Sequence, residues 1–514
     1  MIAFRTGPDT ELIDSIFRKS ALYRPKWDRE DYATRTIEAG IEACHGNFHP
    51  AVKKEPDLPP FVIMKKSKMV VSSTKLAAYV REHVPFIIVR DSAKSDARIY
   101  VYRSGVYTHY AKDVFTGVVK SFIEDFDQNL VKMNAVYEAV ALLFNVEQYM
   151  PSQLLNSDTR FINLQNGLLD ITSMKLLPHD PKVYSTVQLP LVYDPDNTAT
   201  PVFDCYLDTL TDGAADKKQL LLEFLGACLS NVPGHYMKKA LFMYGPGDSG
   251  KSQIKRLAEL LLGEENYTGI DLTQMEARFG SSDIYGKRLA GSADMSFMTI
   301  SELKIFKKAT GGDALFAEFK GRDSFKFVYK GLLWFCMNKL PKFGGDNGQW
   351  VYDRIIPVHC PNVIPVSKRD PELLDKMYEE RQGIFNKAIL AFKEVIANGY
   401  HFHEPAEARQ SIDEYRIDNN SALEFFETMM EKRKENITRN DASTVDAIYR
   451  VYKNWYVDQD YKINYRKSKK EFFQDIADYV GEKYSDMKKR KHVGTCLKDY
   501  VLKEEVLENY PFSI

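Results

Sequence analysis

A chain of 514 residues, 44% hydrophobic and 27% charged, is too long for one ordinary core and fits a soluble globular protein of about three to four units. A net charge of −1 excludes a globally basic nucleic-acid binder, so any DNA contact must come from local basic clusters. The longest apolar runs, such as Leu220–Leu222 and Leu332–Met337, fall far short of the ~18 residues that span a bilayer. The opening MIAFRTGPDTE also lacks a secretion signal, so a cytoplasmic protein with no membrane partner is expected.

In chain order, Leu12, Ile13, Ile16 and Phe17 fall at helical spacing, and a second helical run covers Tyr32–Cys44. Gly46–Pro60 (GNFHPAVKKEPDLPP) is rich in Pro and Gly and reads as a linker. Residues 61–195 alternate between α and β patterns. Phe86–Arg90 and Ile99–Tyr110 read as strands, and Val114–Glu124 as a helix. Leu220–Leu229 is a strongly apolar helix within a collar-like segment, 196–235. Alternating elements then fill residues 236–400. A charged helical segment begins near Glu404–Pro405 and leads into a small basic domain, the whole spanning 405–514. Six scattered cysteines (Cys44, Cys205, Cys228, Cys336, Cys360, Cys496) without a CxxC pair read as reduced, mostly buried thiols, with neither disulfides nor a zinc site.

The sharpest signal is KALFMYGPGDSGKSQIKRLAELLLG, Lys239–Gly263. Ala240–Tyr244 is a continuous apolar run suited to a strand buried on both faces. Gly245, Pro246, Gly247, Asp248, Ser249, Gly250, Lys251 and Ser252 match GxxxxGK[ST] without deviation. Ile254, Leu257, Ala258, Leu261 and Leu262 then share one helical face. Glycines let backbone N–H groups turn inward around phosphates, and the helix N-terminus favours negative charge. Lys251 would neutralise the β- and γ-phosphates of ATP, and the Ser252 hydroxyl would ligand Mg²⁺. Lys251 is expected to face solvent.

Such a loop needs a carboxylate at the end of a neighbouring strand. Arg288–Asp294 (RLAGSAD) supplies Asp294, a second Mg²⁺ ligand, although Gly291 and Ser292 make a weak strand; Glu302 is the reserve acid. Gly331–Asn338 is another buried strand, with Asn338 placed to hold the attacking water or sense the γ-phosphate. Arg354, just before an apolar strand, suits an arginine finger offered to a neighbouring subunit. Between those strands, Glu318–Lys320 and Ser324–Tyr329 read as a hairpin with Lys320 and Arg322 at its tip and Lys326 and Lys330 nearby. Such a tip can grip a phosphate backbone without reading sequence.

This order resembles the superfamily 3 helicases, specifically the phage and plasmid primase-helicases related to the poxvirus type. Phe161–Pro195, the KKATGGD of Lys307–Asp313 and the opening Thr6–Glu38 are similar to segments these proteins carry. The resemblance implies an AAA+-like hexameric ring with ATP bound between subunits and hairpins lining a central channel. In it Lys251, Asp294, Asn338 and Arg354 are the catalytic residues. It also implies that residues 1–50 are the helical segment that follows a primase domain, so the chain is expected to begin where a primase would end. A primase or other replication proteins are then expected partners.

In the C-terminal domain, Tyr449, Tyr452 and Trp455 fall on one helical face and read as core. Lys467–Ile476 starts another helix, and Met487–Leu502 reads as turn then strand. Two helices and a basic wing suggest a winged-helix-like fold, with Lys488, Lys489, Arg490 and Lys491 on DNA. The expected fold is thus multidomain α/β: an AAA+-like P-loop ATPase domain, an α+β N-terminal domain, a helical collar and a winged-helix-like C-terminal domain. The expected function is an ATP-dependent helicase or translocase on single-stranded or forked DNA. An ATP-switched initiator, or a DNA-remodelling ATPase that does not unwind, is the alternative.

Overall fold

The structure, a computed structural model, describes residues 2–46, 58–91, 96–145, 148–300, 302–318, 324–343, 349–433, 443–459 and 466–510. It divides into two compact units. The first comprises residues 1–83 and 112–146. Its opening helices, Ile2–Thr6, Thr10–Arg18 and Glu30–Glu42, close on Ile13, Trp27, Ala33 and Ile37. Trp27 stacks on Phe17 at 3.7 Å and donates its indole N–H to Asp14 at 2.7 Å, which satisfies the one polar atom this ring carries inward. A short antiparallel hairpin, Val62–Lys65 with Lys68–Val71, precedes the helices Ser73–His83, Lys112–Glu124 and Met133–Phe144.

The second unit comprises residues 84–111 and 147–514. Two three-stranded antiparallel sheets come first, Phe86–Val89/Arg98–Arg103/Val106–Tyr110 and Phe161–Leu164/Gly167–Asp170/Lys175–Leu177. The central body follows: α1 (Pro201–Thr211), α2 (Ala215–Leu229), β1 (Ala240–Tyr244), α3 (Lys251–Leu262), β2 (Tyr267–Gly269), β3 (Leu289–Gly291), α4 (Lys304–Gly311), β4 (Leu332–Met337), β5 (Ile355–His359) and α5 (Arg381–Ala397). The five strands form one parallel sheet in the order β2-β3-β4-β1-β5.

Both faces of this sheet are covered, which is why its strands read as continuous apolar runs. Side chains alternate between two cores with the period of 2 that a strand imposes. Leu241, Met243, Trp334, Cys336, Ile356 and Val358 enter the core shared with α2, α3 and α5. Ala240, Phe242, Leu333, Phe335 and Ile355 enter the opposite core, with Ile300, Phe306 and Leu315. Helix α2 is buried along nearly its whole length, and Gly226 lets it touch α5: a Cβ there would lie 2.1 Å from the Ala388 carbonyl oxygen. The buried carboxylate of Glu223 on α2 is satisfied by the backbone N–H and the Nδ1 of His403.

Gly291 explains why β3 looked weak in sequence. Its φ is +142°, and a Cβ would sit 1.9 Å from the Trp334 carbonyl oxygen of β4, so only glycine lets the strands approach. Arg288, at the head of β3, is buried; its guanidinium donates to the carbonyls of Lys330, Ala227 and Val232.

A third core lies in the C-terminal part, where helices Ser421–Met429, Val445–Asp458 and Lys469–Val480 gather Phe425, Tyr452, Trp455 and Phe472. The expected core role of Tyr452 and Trp455 holds, with Tyr449 packed against it half-buried. The segment read as turn then strand is a hairpin, Lys488–Lys491 with Gly494–Leu497, and Tyr500–Leu502 pairs instead with Met430–Lys432. Among the described residues no helix is long and apolar enough to cross a membrane.

Candidate functional site

The loop Gly245–Ser252 leaves the C-terminal end of β1 and enters α3, as the strand–loop–helix spacing requires. Three backbone positions turn left: Gly245 (φ +145°), Asp248 (φ +61°) and Gly250 (φ +89°). Gly245 has a second constraint, since a Cβ would stand 2.2 Å from the Cys360 carbonyl oxygen. The chain after β5 braces the loop from outside. Ile364 N–H donates to the Asp248 carbonyl at 3.0 Å, and Arg369 pairs with the Asp248 carboxylate at 2.8 Å.

Lys251 departs from the sequence expectation of a solvent-facing lysine. It is 5% exposed, and its ammonium donates to the carbonyls of Gly245 (3.0 Å) and Pro246 (2.7 Å) and to the Ser249 hydroxyl (2.8 Å). A lysine on the first turn of α3 curls back into its own loop because the loop carbonyls are the acceptors within reach. Burial lowers its pKa from the ordinary lysine value, with Asp294 and Asp248 among the charges that oppose the shift. Ser252 donates its hydroxyl to the Ala293 carbonyl at 2.7 Å, which brings it beside Asp294. A loop of this shape at a helix N-terminus, with a cation held inside it, can bind phosphate oxygens.

The other expected residues separate into two groups. Asp294 is exposed three residues beyond β3. The chain beside it continues along β4, with Ser292 accepting from Cys336 N–H and Met295 bridging Met337. Asn338 is exposed one residue past β4, whose last residue pairs with Tyr244, the residue before the loop. Both thus lie at the end of the sheet from which the loop leaves, where the strands finish. Glu302 is exposed and paired with Lys304 at 2.9 Å.

Arg354 is at the opposite end of the sheet, where β5 begins. It immediately precedes β5, and its guanidinium donates to the Lys307 carbonyl and the Thr310 hydroxyl on the last turn of α4. At the first turn of the same helix, Glu276 accepts from Ile305 N–H (2.9 Å) and Phe306 N–H (2.8 Å). Charged side chains therefore hold both ends of α4, which runs through Gly311 and Gly312 into the hairpin.

That hairpin pairs Ala314–Ala317 with Phe325–Val328, so its first strand lies upstream of the expected Glu318–Lys320. Leu315 and Ala317 point inward, and the small Ala317 hides the alternation in the sequence. Glu318 instead pairs with Arg278. Lys320 and Arg322 lie outside the described residues. Lys326 is exposed, its ammonium 5.2 Å from the Phe316 ring. Lys330 is not near the tip: it is half-buried and donates to the Leu155 carbonyl at 3.2 Å. In the C-terminal hairpin, Lys489 and Arg490 are exposed, and Lys488 covers the Tyr484 ring at 3.7 Å.

The wall beside the loop has no local signature in the sequence. A cavity of about 840 Å³ adjoins Gly250 and is lined by Val202, Tyr206, Thr209, Gln253, Ile364 and Leu373, among others. Helix α1 forms one side, and Glu380 caps it by accepting from Val202 N–H and Phe203 N–H, both at 2.9 Å. The Gln253 side-chain oxygen is buried here without a hydrogen-bond partner among the described residues. Pro201 after Thr200, with Phe203, Leu207 and Leu210 at helical spacing, could have marked α1 as a helix. Nothing in that pattern says what the helix covers.

A mixed α/β multidomain protein with a parallel sheet and a loop suited to phosphate is thus in hand. Comparison with known families matches three segments: residues 1–50 to the NrS-1 polymerase HBD domain, residues 102–212 to the D5 N terminal like family, and residues 243–354 to a family of unknown function (DUF5906). The first two relate those two segments to phage primase-helicase-like proteins. Among solved structures, an apo structure of the NrS-1 C terminal region (A form) is similar at 12% identity and a TM-score of 0.45, over 84% of this chain and 98% of that one. Another apo structure of that region (305–718) is similar at 11% identity and a TM-score of 0.41, over 84% and 99%.

Proposed function

We propose that the chain is an ATP-dependent DNA helicase or translocase of the superfamily 3 type, working as a hexameric ring. The observation that carries this reading is the loop itself: Lys251 inside Gly245–Ser252, the Ser252 hydroxyl against Ala293, and Asp294 and Asn338 at the same end of the sheet. The sheet order β2-β3-β4-β1-β5 supports an AAA+-like domain. The adjoining cavity suits a nucleoside, whose amine or hydroxyl would give the Gln253 oxygen its missing donor. Hard oxygen donors at Ser252 and Asp294 fit Mg²⁺, which when bound would neutralise charge developing on the phosphates.

Within the chain, Lys251 would exchange its loop carbonyls for phosphate oxygens, and Asn338 would orient the attacking water. Arg354 would serve a neighbouring subunit's site. The hairpin Ala314–Val328, with Lys320, Arg322 and Lys326, would grip the phosphates of single-stranded DNA, and Lys488, Lys489 and Arg490 a second stretch.

The test is paired on one preparation: turnover of ATP with and without single-stranded DNA, and strand displacement on a fork. Stimulated turnover with displacement is expected, both abolished by Lys251→Ala. Displacement that survives joint replacement of Lys320 and Arg322 would remove the hairpin as the grip. Stimulated turnover without displacement would favour the remodelling alternative.

A further inference from the structure

In a regular helix Ile254 N–H would donate to the carbonyl four residues back, that of Gly250. Here a hydroxyl stands between them. Tyr206, reaching in from α1, donates to the Gly250 carbonyl at 2.8 Å and accepts from Ile254 N–H at 3.1 Å. The Gly250 carbonyl also accepts from Gln253 N–H at 2.9 Å, so the first turn of α3 is tightened on one side and wedged open by one oxygen on the other.

We propose that Tyr206 is a positioning residue for nucleotide: its hydroxyl fixes the Gly250–Lys251 backbone that meets the phosphates, while its ring walls the cavity that takes the nucleoside. The inference rests on the nucleotide-binding reading of the loop and adds to it a residue 44 positions upstream in the chain.

Four features make the contact suited to the role. The ring is packed on the loop, since a Cβ built on Gly250 would lie 3.4 Å from Tyr206 Cε2. The same residue lines the cavity, so one side chain contacts both the loop backbone and the cavity wall. Burial pushes the phenol far above its ordinary pKa, so the hydroxyl remains a donor at any working pH. Finally, α1 cannot drift: Glu380 holds its N-terminal N–H groups, and Lys387 pairs with Asp204 on its outer side at 2.7 Å.

The experiment compares the full-length wild type with Tyr206→Phe and Tyr206→Leu, using ATP and inorganic tripolyphosphate as separate probes. Binding of each probe, steady-state hydrolysis and the melting temperature without nucleotide are measured, with Lys251→Ala as the control for the loop. Tyr206→Phe is expected to weaken ATP and tripolyphosphate by the same factor, about tenfold, the worth of one buried hydrogen bond. KM should rise by that factor while kcat changes less than about twofold, because the lost contact acts on binding. Tyr206→Leu, which also removes the ring, should weaken ATP further than tripolyphosphate.

Unchanged binding of both probes by Tyr206→Phe overturns the proposal. So does a loss confined to ATP, which would make the residue a base contact only. If Phe203→Leu, a core change on the same helix chosen for an equal fall in the nucleotide-free melting temperature, weakens both probes as much as Tyr206→Phe does, Tyr206 is assigned to packing and the proposal is overturned too. If the wild type binds neither probe, the nucleotide reading of the loop itself fails, a result distinguishable because Lys251→Ala then behaves as wild type.

Discussion

Arg354→Ala tests whether two copies of the chain build one site. β5 runs from Ile355 to His359, and His359 pairs with Tyr244 at the start of the loop, so Arg354 begins roughly 16 Å from the loop's edge at ~3.3 Å per strand residue. That is well beyond the span of an arginine side chain, so the guanidinium cannot reach the phosphates bound by its own loop. If it acts on the γ-phosphate, it acts on a neighbour's. Loss of such a finger should lower turnover by about 10³–10⁵ with little change in ATP affinity. The contacts to Lys307 and Thr310 add a smaller structural cost, about 1 kcal/mol each. Mixing Arg354→Ala with Lys251→Ala subunits in equal amounts then gives a definite number. An interface is competent when one subunit brings Lys251 and its neighbour Arg354, which for head-to-tail contacts occurs at about one in four interfaces. Turnover per subunit should recover to about a quarter of wild type. Native mass spectrometry must show mixed assemblies. Proven mixing with no recovery, or an Arg354→Ala protein that hydrolyses as wild type, rules out a finger shared between subunits.

Two further outcomes are expected. Asp294→Asn should suppress turnover while nucleotide still binds, and Glu302→Gln should leave turnover near wild type, because Ser252 meets the chain beside Asp294 whereas Glu302 pairs with Lys304; the reverse pattern in a hydrolysis assay would exchange their roles. Cys205 is exposed on the cavity wall, whereas Cys228, Cys336 and Cys360 are buried with thiols pushed up to about 12, so iodoacetamide at pH 8 should label Cys205 well before those three. Nucleotide should slow that labelling; mass spectrometry showing Cys336 or Cys360 modified first would contradict the packing around the loop.

The loop and its flanking elements were legible because each constraint is local. The apolar run of β1, the glycines that turn left, and the periodic face of α3 are written within 25 consecutive residues. The exposure of Lys251 was not legible, because a lysine's burial depends on which carbonyls its ammonium can reach. Gly291 looked like a defect in a strand and is instead required by the approach of β4, a contact between residues 43 positions apart. The hairpin is legible but its first strand begins earlier than the pattern suggests, since Ala314–Ala317 carries little of the size contrast that marks alternation. Tyr206 was invisible for the same reason as every long-range contact: an aromatic on a helix face says that it packs, without saying on what.

Helix α2 has a consequence for how the molecule can be cut. Leu220, Leu221, Phe224, Leu225 and Cys228 share one core with Leu241, Leu289, Trp334 and Ile356 of the sheet, and with Ile162, Leu169 and Leu189 from the strands and chain before α1. The sheet is therefore no detachable cassette. A fragment starting at residue 236 would keep every residue of the loop and lose the lining of one face of its sheet, including Phe224, which meets Trp334 edge to face at 5.5 Å. Such a fragment should aggregate, whereas one starting near residue 148 retains the whole of that core. What looks in sequence like a motor preceded by an accessory segment is, in its packing, one body whose interior is supplied from both sides of the motif.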